Sequence, residues 1–282
     1  MLRGLVVALL VLASTAAAAP ESEPPLVVGH SVRGRPIVAY ELGDPTAPAT
    51  LVVGVIHGSE PAGLRVIAPL RHMPLPPNVH LWLVPTANPD GLAAGKRQNA
   101  HGVDLNRNWP VGWRHNGVPW DGYYSGPRPM SEPENRAMRA FILQIKPALT
   151  IWYHQPLDLV YGSDRHVAVL KRYARVSGLP YRRLTAPPGA ATRWERREFP
   201  DSPAFVVEFP AGPISAATAH RNAAAVIALA RALPYARSVL QVGERVPNVR
   251  VWMAPREEVS IRGLAAEKPL LLLFYLFDWS ST

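Results

Sequence analysis

Two side chains that can bind a metal ion lie three residues apart in the segment His57-Gly58-Ser59-Glu60. The segment follows the apolar run Leu51 to Ile56, so both side chains fall at a turn between a predicted strand and a predicted helix. Side chains that leave one turn can approach one ion. Because the chain has no cysteine, any zinc here must be held by histidine and carboxylate. The segment therefore predicts two ligands of a zinc site.

A catalytic zinc ion usually takes three protein ligands and keeps one position open for water. The third ligand can come from anywhere in the chain. His154 is the best candidate, because it follows the buried-strand pattern Leu149 to Tyr153. His101 and His166 compete with it, and both lie in predicted loops or helix starts.

The elements around these residues alternate between strand and helix. The patterns predict strands at Pro36–Leu42, 51–56, Val79–Val84, 149–153 and Ala204–Phe209, and helices at Glu60–Leu70, from Ser131 to 145, at Val167–Ser177 and at Ser215–Leu233. Ser131-x-x-Glu134 fits a capping box, and Lys146-Pro147 ends the helix that follows it. The stretch 88–131 has little periodicity but many aromatic residues, which favours an ordered, functional loop.

This alternation predicts an α/β fold with a mixed, mostly parallel central sheet and helices on both faces. Ligands of such folds bind at the carboxyl ends of strands. His57, His154 and Glu208 all fall at the end of predicted strands, so we expect them at one edge of the sheet.

Length and composition fit one large domain with flanking segments. The chain has 282 residues, of which 48% are hydrophobic and 31 are proline. Residues 1–19 resemble a secretory signal peptide, with Arg3, a short apolar run and an alanine-rich cleavage site. An uncleaved membrane anchor is the alternative. We expect a catalytic domain at 20–245, with residues 20–30 as a short leader, and an extension at 246–282.

The chain is strongly basic, with a net charge of +9 and a pI of about 10.2. In an exported protein, this charge suits an anionic cell wall or membrane surface, and a merely solvated arginine-rich surface is the alternative. No nucleic-acid-binding motif is present, so we expect no nucleic-acid partner. The predicted location is secreted, periplasmic or associated with the cell wall. We expect a monomer without a stable membrane anchor after signal cleavage.

The C-terminal extension contains a strong strand pattern from Lys268 to Ser280. It resembles the first strand of a peroxiredoxin-like domain that stops before its cysteine. A final strand of the main sheet is an equal alternative.

Several motifs together resemble the zinc carboxypeptidases of peptidase family M14. They are His57-Gly58-Ser59-Glu60, Asn88-Pro89-Asp90-Gly91, Arg97-Gln98-Asn99, the run Gly102 to Asn108, Ser125-Gly126, Ser131 to Glu134, and Val207-Glu208. Their order covers roughly residues 35–235. The resemblance implies a zinc hydrolase that cleaves an amide bond next to a free carboxylate.

The resemblance also implies a role for each site residue. His57, Glu60 and His154 are implied ligands of one zinc ion. Asn106 and Arg107 are implied to bind the terminal carboxylate of the substrate, Arg97 to polarise the scissile carbonyl group, and Glu208 to act as the general base. An arginine fork matches a carboxylate, and a cation stabilises a developing oxyanion, so these roles make chemical sense.

Departures from the digestive enzymes favour another branch. Gln155 follows the third ligand, no tyrosine lies between Tyr181 and Glu208, and the segments around Trp194 and after Glu208 look closer to bacterial murein peptide amidases. That resemblance implies γ-D-glutamyl–diaminopimelate peptides as substrates. Charged partners for the diaminopimelate side chain could come from Asp158, Asp164, Arg193 and Arg196.

Two other functions remain open at this point. An N-acyl amino acid deacylase of the desuccinylase type would use the same chemistry, but the run from Asp104 to Asn108 and the long loop favour a peptidase. A non-catalytic wall-binding relative is the second alternative, and the complete set of candidate ligands and base argues against it.

Overall fold

The structure is a computed structural model that describes residues 24–162, 164–233, 250–254 and 257–260. The chain divides into two compact units, Met1–Pro234 and Tyr235–Thr282. The predicted signal peptide at 1–19 and the predicted strand from Lys268 to Ser280 lie outside the described residues. The predicted domain boundary at 245/246 also falls outside them and stays a prediction.

The first unit is built on an eight-stranded sheet. Its strands are β1 (Leu26–His30), β2 (Pro36–Gly43), β3 (Ala49–Val53), β4 (His80–Val84), β5 (Leu149–His154), β6 (Leu157–Gly162), β7 (Tyr181–Arg183) and β8 (Ala204–Pro210). They lie in the order β1-β2-β4-β3-β5-β8-β6-β7. The pairs β4-β3, β3-β5, β5-β8 and β6-β7 are parallel, and the other three pairs are antiparallel. The predicted mixed, mostly parallel sheet is confirmed.

Six helices accompany these strands in the described part of the first unit. They are α1 (Leu64–Leu70), α2 (Pro89–Ala94), α3 (Pro133–Ile145), α4 (Val167–Ser177), α5 (Ala191–Glu198) and α6 (Ala216–Ala230). None of the described helices is long and apolar enough to cross a membrane.

Apolar residues on the two faces of the sheet form two separate cores. Val52 and Ile151 point into a core that contains residues of α1, α4 and α6. Their neighbours Leu51 and Trp152 point into the opposite core, with residues of α3 and α5. Side chains alternate between the faces of a strand, so a continuous apolar run is required where both faces are covered. Helices on both faces are therefore confirmed.

The sheet order places the chemistry-bearing strand ends side by side. β3, β5 and β8 are adjacent and parallel, and residues His154 and Glu208 are register partners on β5 and β8. His57 follows β3 by a few residues. Since the carboxyl ends of parallel strands share one edge, this register brings all three side chains to the same place.

Some predicted elements differ from the structure. The predicted leader contains β1, which pairs antiparallel with β2. The predicted loop 88–131 contains α2 and a 3-10 turn at Leu105–Arg107. β6, β7 and α5 were not predicted, because all three are short and α5 is mostly polar.

The capping box at the start of α3 was also wrong. The N-cap residue is Glu132, and no side chain caps the helix. Pro133 begins the helix, and its missing N–H removes one of the donors that a cap would satisfy. The Ser131 hydroxyl instead donates to Glu132, and the Glu134 carboxylate accepts from the backbone N–H of Val32.

The described part of the second unit is a pair of strands. β9 (Arg250–Ala254) and β10 (Glu257–Ser260) pair antiparallel, with Val251 opposite Val259.

Candidate metal centre

His57, Glu60 and His154 are brought together by the turn after β3 and by the end of β5. The turn can pass close to α2 only because residue 58 is glycine. A Cβ atom at Gly58 would overlap the backbone of Gly91, so any other residue would push the turn away. The sequence of this turn thus fixes where its histidine and glutamate point.

The three side chains form a small triangle of ligand atoms. His57 Nδ1 lies 2.9 Å from Glu60 Oε2, His154 Nδ1 lies 3.0 Å from the same oxygen, and the two Nδ1 atoms lie 3.1 Å apart. All three residues are buried. Ligands of a tetrahedral zinc ion lie about 3.3 Å from one another, so only a slight opening of the triangle is needed. Two imidazole nitrogens and a carboxylate oxygen are also a donor set that zinc prefers.

Asp104 fixes the orientation of His57. The Nε2–H group of His57 donates to Asp104 Oδ1 at 2.9 Å, and the Asp104 side chain is fully buried. This bond leaves the Nδ1 lone pair of His57 facing the triangle, as a metal ligand requires. Asp104 lies inside a motif matched in the sequence analysis, but no role was predicted for it. Its position two residues before the predicted substrate-binding residue Asn106 was the feature that could have indicated one.

Arg97 neutralises the carboxylates of the site. Its guanidinium donates to Glu60 Oε1 at 2.8 Å and to Asp104 Oδ2 at 2.9 Å and 3.1 Å. The carbonyl oxygen of Gly122 accepts a further bond from Nε. The remaining guanidinium N–H groups are left for a substrate.

Burial and the neighbouring charges shift the pKa values of the three candidate ligands. Burial by itself lowers the pKa of His57, but the Asp104 and Glu60 carboxylates outweigh burial and raise the pKa. Burial is also the largest effect on His154, where it lowers the pKa and favours the neutral, metal-binding imidazole. Burial opposes ionisation of Glu60, yet the bonds from His154 and His57 hold its pKa well below the usual range. The site therefore contains an anionic Glu60 carboxylate and a neutral His154 imidazole.

Every predicted site residue lines one cavity of about 60 Å³. Its lining consists of His57, Glu60, Arg97, Asn106, Arg107, His154, Gln155, Tyr161, Pro187 and Glu208. The competing histidines lie elsewhere: His101 Nδ1 contacts Glu132 at 2.8 Å, and His166 Nε2 contacts the Pro200 carbonyl at 3.1 Å. Within the described residues, 57, 60 and 154 form the only cluster that could hold a metal ion.

Glu208 lies in the same cavity without a direct cation partner among the described residues. Its Oε2 accepts a long bond of 3.4 Å from the Leu157 backbone N–H. Burial and then the negative charge of Glu60 raise the pKa of Glu208 to about 7. A carboxylate in this environment exchanges protons near neutral pH.

Tyr161 is a cavity residue that the sequence did not identify. It lies on β6, which pairs antiparallel with β8, and burial followed by the charge of Glu208 raises its pKa to about 12. A second tyrosine, Tyr123, lies on the long loop with its ring centroid 5.2 Å from the guanidinium of Arg97 and 5.1 Å from that of Arg107. Although no tyrosine lies between Tyr181 and Glu208 in the sequence, two tyrosines from other segments, Tyr161 and Tyr123, lie near the site.

Three of the four charged residues suggested for a substrate side chain, Asp158, Arg193 and Arg196, are not among the described residues that line this cavity. Asp158 is exposed, and Arg193 donates to the Ala186 carbonyl at 3.2 Å. Arg196 is half-buried, and its charge is felt by Tyr161. The side chain of Asp164 lies outside the described part of the chain.

The chain is similar in sequence or structure to several known enzymes. Murein peptide amidase A of Escherichia coli (strain K12) is 29% identical over 163 residues, which are 54% of this chain and 67% of that protein. The murein-tripeptide amidase MpaA from Escherichia coli O157 is 27% identical with a TM-score of 0.61, covering 77% of this chain and 94% of that chain. Carboxypeptidase A from Helicoverpa armigera has the same fold, with a TM-score of 0.64 at 19% identity over 78% of this chain and 70% of that chain.

The family comparison covers more than half of the chain. The sequence profile of Peptidase_M14, described as zinc carboxypeptidase, matches residues 11–169. This range contains all three residues of the triangle, whose donor atoms suit zinc. The chain therefore belongs to the zinc carboxypeptidase family and is a zinc-dependent hydrolase.

Proposed function

We propose that the protein hydrolyses an amide bond next to a free carboxylate in cell-wall peptides of the murein type. The observation that carries this proposal is the single cavity that holds the ligand triangle, Arg107 and Glu208 together. The similarity to two murein amidases supports the substrate class.

His57, Glu60 and His154 hold the zinc ion in this proposal. When bound, zinc supplies Lewis-acid activation of a water molecule and of the substrate carbonyl group. Asp104 keeps His57 in the correct tautomer, and Arg97 keeps the buried carboxylates neutralised.

Asn106 and Arg107 bind the free carboxylate of the substrate. The Asn106 Oδ1 accepts from the Ala191 backbone N–H at 2.9 Å, which fixes the amide, and the Arg107 guanidinium donates to the Asn106 carbonyl at 2.8 Å. Among the described residues, Arg107 bonds to the backbone and forms no ion pair, so its other N–H groups can form a bidentate pair. This pair fixes the position of the scissile bond relative to the triangle.

Glu208 acts as the general base. It removes a proton from the attacking water and passes it to the leaving amine. The unused N–H groups of Arg97 stabilise the negative charge that develops on the carbonyl oxygen. Each of these groups lines the same cavity, which is why a single small peptide can contact all of them.

We also propose that the protein acts outside the cytoplasm, as a secreted, periplasmic or wall-associated monomer. Support comes from the signal-like residues 1–19 and from the net charge of +9, which suits an anionic wall.

Product masses from purified zinc-loaded protein test the substrate class. We expect cleavage of L-Ala-γ-D-Glu-meso-diaminopimelate between the glutamate and the diaminopimelate. Cleavage of simple L-peptides alone would overturn the murein assignment. Hydrolysis of N-succinyl amino acids alone would indicate a deacylase, and no hydrolysis with metal bound would indicate a binding protein.

A further inference from the structure

A second cavity of about 270 Å³ lies next to the metal-site cavity, and Arg107 lines both. The other residues that line it are Arg114, His115, Asn116, Ser125 and Pro188. Two of the six are arginines, one is a histidine, and none is a carboxylate. The lining therefore favours an anion.

The two arginines of this second cavity have no acidic partner among the described residues. Within the part of the chain that the structure describes, neither Arg107 nor Arg114 takes part in an ion pair. Arg107 contacts a backbone carbonyl and the ring of Tyr123, and Arg114 extends from the exposed part of the long loop. Positive charge without a carboxylate beside it attracts an anionic ligand group.

Ser125 contributes a buried polar group to the lining of the second cavity. Its side chain is buried, and its Oγ accepts from the Asn116 backbone N–H at 2.9 Å. Its carbonyl oxygen accepts from Asn108 Nδ2 at 2.8 Å and from Trp113 Nε1 at 3.0 Å. The Ser125 hydroxyl proton remains available as a donor to a ligand.

We infer that this second cavity binds a second carboxylate of the substrate, carried on the side chain of the residue whose terminal carboxylate Arg107 holds. This inference rests on the proposed function. Because Arg107 lines both cavities, a side chain attached to the carboxylate that Arg107 holds starts at the border between them. Diaminopimelate has a carboxylate at the far end of such a side chain, whereas lysine has the same chain and ammonium group without it.

Matched peptides test the assignment directly. The first peptide is L-Ala-γ-D-Glu-meso-diaminopimelate, and the second carries L-lysine in place of diaminopimelate. We expect the wild type to prefer the first in kcat/KM. In Arg114→Gln the ratio of the two kcat/KM values falls about five- to tenfold, because a charge-assisted bond at a partly exposed site is lost. Arg175→Gln on α4 removes the same charge from an exposed site on another element, and its ratio should equal that of the wild type.

A third peptide distinguishes which of two substrate carboxylates the second cavity binds. It carries γ-D-isoglutamine in place of γ-D-glutamate, which removes the carboxylate on the other side of the scissile bond. Arg114→Gln could lower kcat/KM for the lysine peptide but leave kcat/KM for the isoglutamine peptide unchanged. In that case the second cavity binds the glutamyl carboxylate. That outcome would overturn the assignment to the leaving residue.

Binding to the zinc-free protein gives a readout without turnover. By titration calorimetry, free meso-diaminopimelate should bind more tightly than L-lysine, and Arg114→Gln should reduce that difference about fivefold or more. Equal binding in both proteins, with equal kcat/KM ratios, would overturn the second-carboxylate site. No cleavage of any peptide would instead contradict the proposed function, so the two failures are distinguishable.

Discussion

The Nε2 atom of His57 lies 2.9 Å from the Oδ1 atom of Asp104, in a place where both side chains are almost completely buried. Asp104 also accepts two bonds from Arg97, which itself donates to the candidate ligand Glu60. One aspartate thus connects the candidate metal ligand His57 to Arg97. Partners behind a metal ligand of this kind set its tautomer and its basicity.

We predict that Asp104→Asn weakens zinc binding about 10- to 100-fold, because the amide accepts a weaker bond from the imidazole. Competition with a zinc chelator measures the affinity. Asp201→Asn is the control, since Asp201 is exposed and pairs only with exposed Arg165 among the described contacts. Unchanged zinc affinity in Asp104→Asn would contradict the orienting role.

We predict that Glu208→Gln lowers kcat by about 10²- to 10⁴-fold, which is the usual effect of losing a general base. Zinc affinity should stay within a few-fold of the wild type, because Glu208 is outside the ligand triangle. Steady-state kinetics and zinc titration on the same preparation separate the two effects. A Glu208→Gln protein with full activity would exclude Glu208 as the base.

We predict that Arg107→Lys loses most of the preference for a free carboxylate. Lysine keeps the charge but cannot form the bidentate pair that an arginine fork makes. The measurement compares kcat/KM for a peptide with a free terminal carboxylate and for its amide. The wild-type ratio should fall by about tenfold or more in the variant, since hydrogen bonds to charged groups contribute about 1.5–3 kcal/mol. An unchanged ratio would place the carboxylate site elsewhere.

We predict that the folded protein loses stability as the pH rises through neutrality because of Glu195. Burial raises the pKa of this carboxyl group to about 7, even though Trp152 Nε1 donates to it at 2.6 Å. A raised carboxyl pKa gives stability that is fully present below the unfolded value, near 4.5, and that is lost as the pH passes about 7. The loss is at most about 3 kcal/mol.

Urea unfolding at several pH values measures this effect in the zinc-loaded protein. Glu195→Gln should make the decline in unfolding free energy between pH 5 and about 8 shallower, leaving the part that comes from Glu208, and should be the more stable protein at the upper end. Glu198→Gln, on the same helix but exposed, should keep the wild-type decline. A decline that persists unchanged in Glu195→Gln would assign the pH dependence to other groups.

The turn residues and the buried strands could be predicted from the sequence because their patterns are local. The apolar run of β3 and β5 requires cover on both faces, and the histidines follow those runs directly. β6 and α5 are short, and α5 is mostly polar, so Tyr161 and Glu195 were not recognised as buried polar groups. Their burial depends on pairing with β8 and on packing against the sheet, and both partners are distant in the sequence.

The sequence by itself determined the family, the ligand types and the order of the motifs, because residue chemistry and spacing are properties of the chain. It could not determine that His57 Nδ1, Glu60 Oε2 and His154 Nδ1 meet within 2.9–3.1 Å of one another. That meeting depends on the strand order β3-β5-β8, which joins segments about a hundred residues apart. Nor could it show that Arg107 faces two cavities, since only the fold of the long loop places Arg114 and Ser125 beside it.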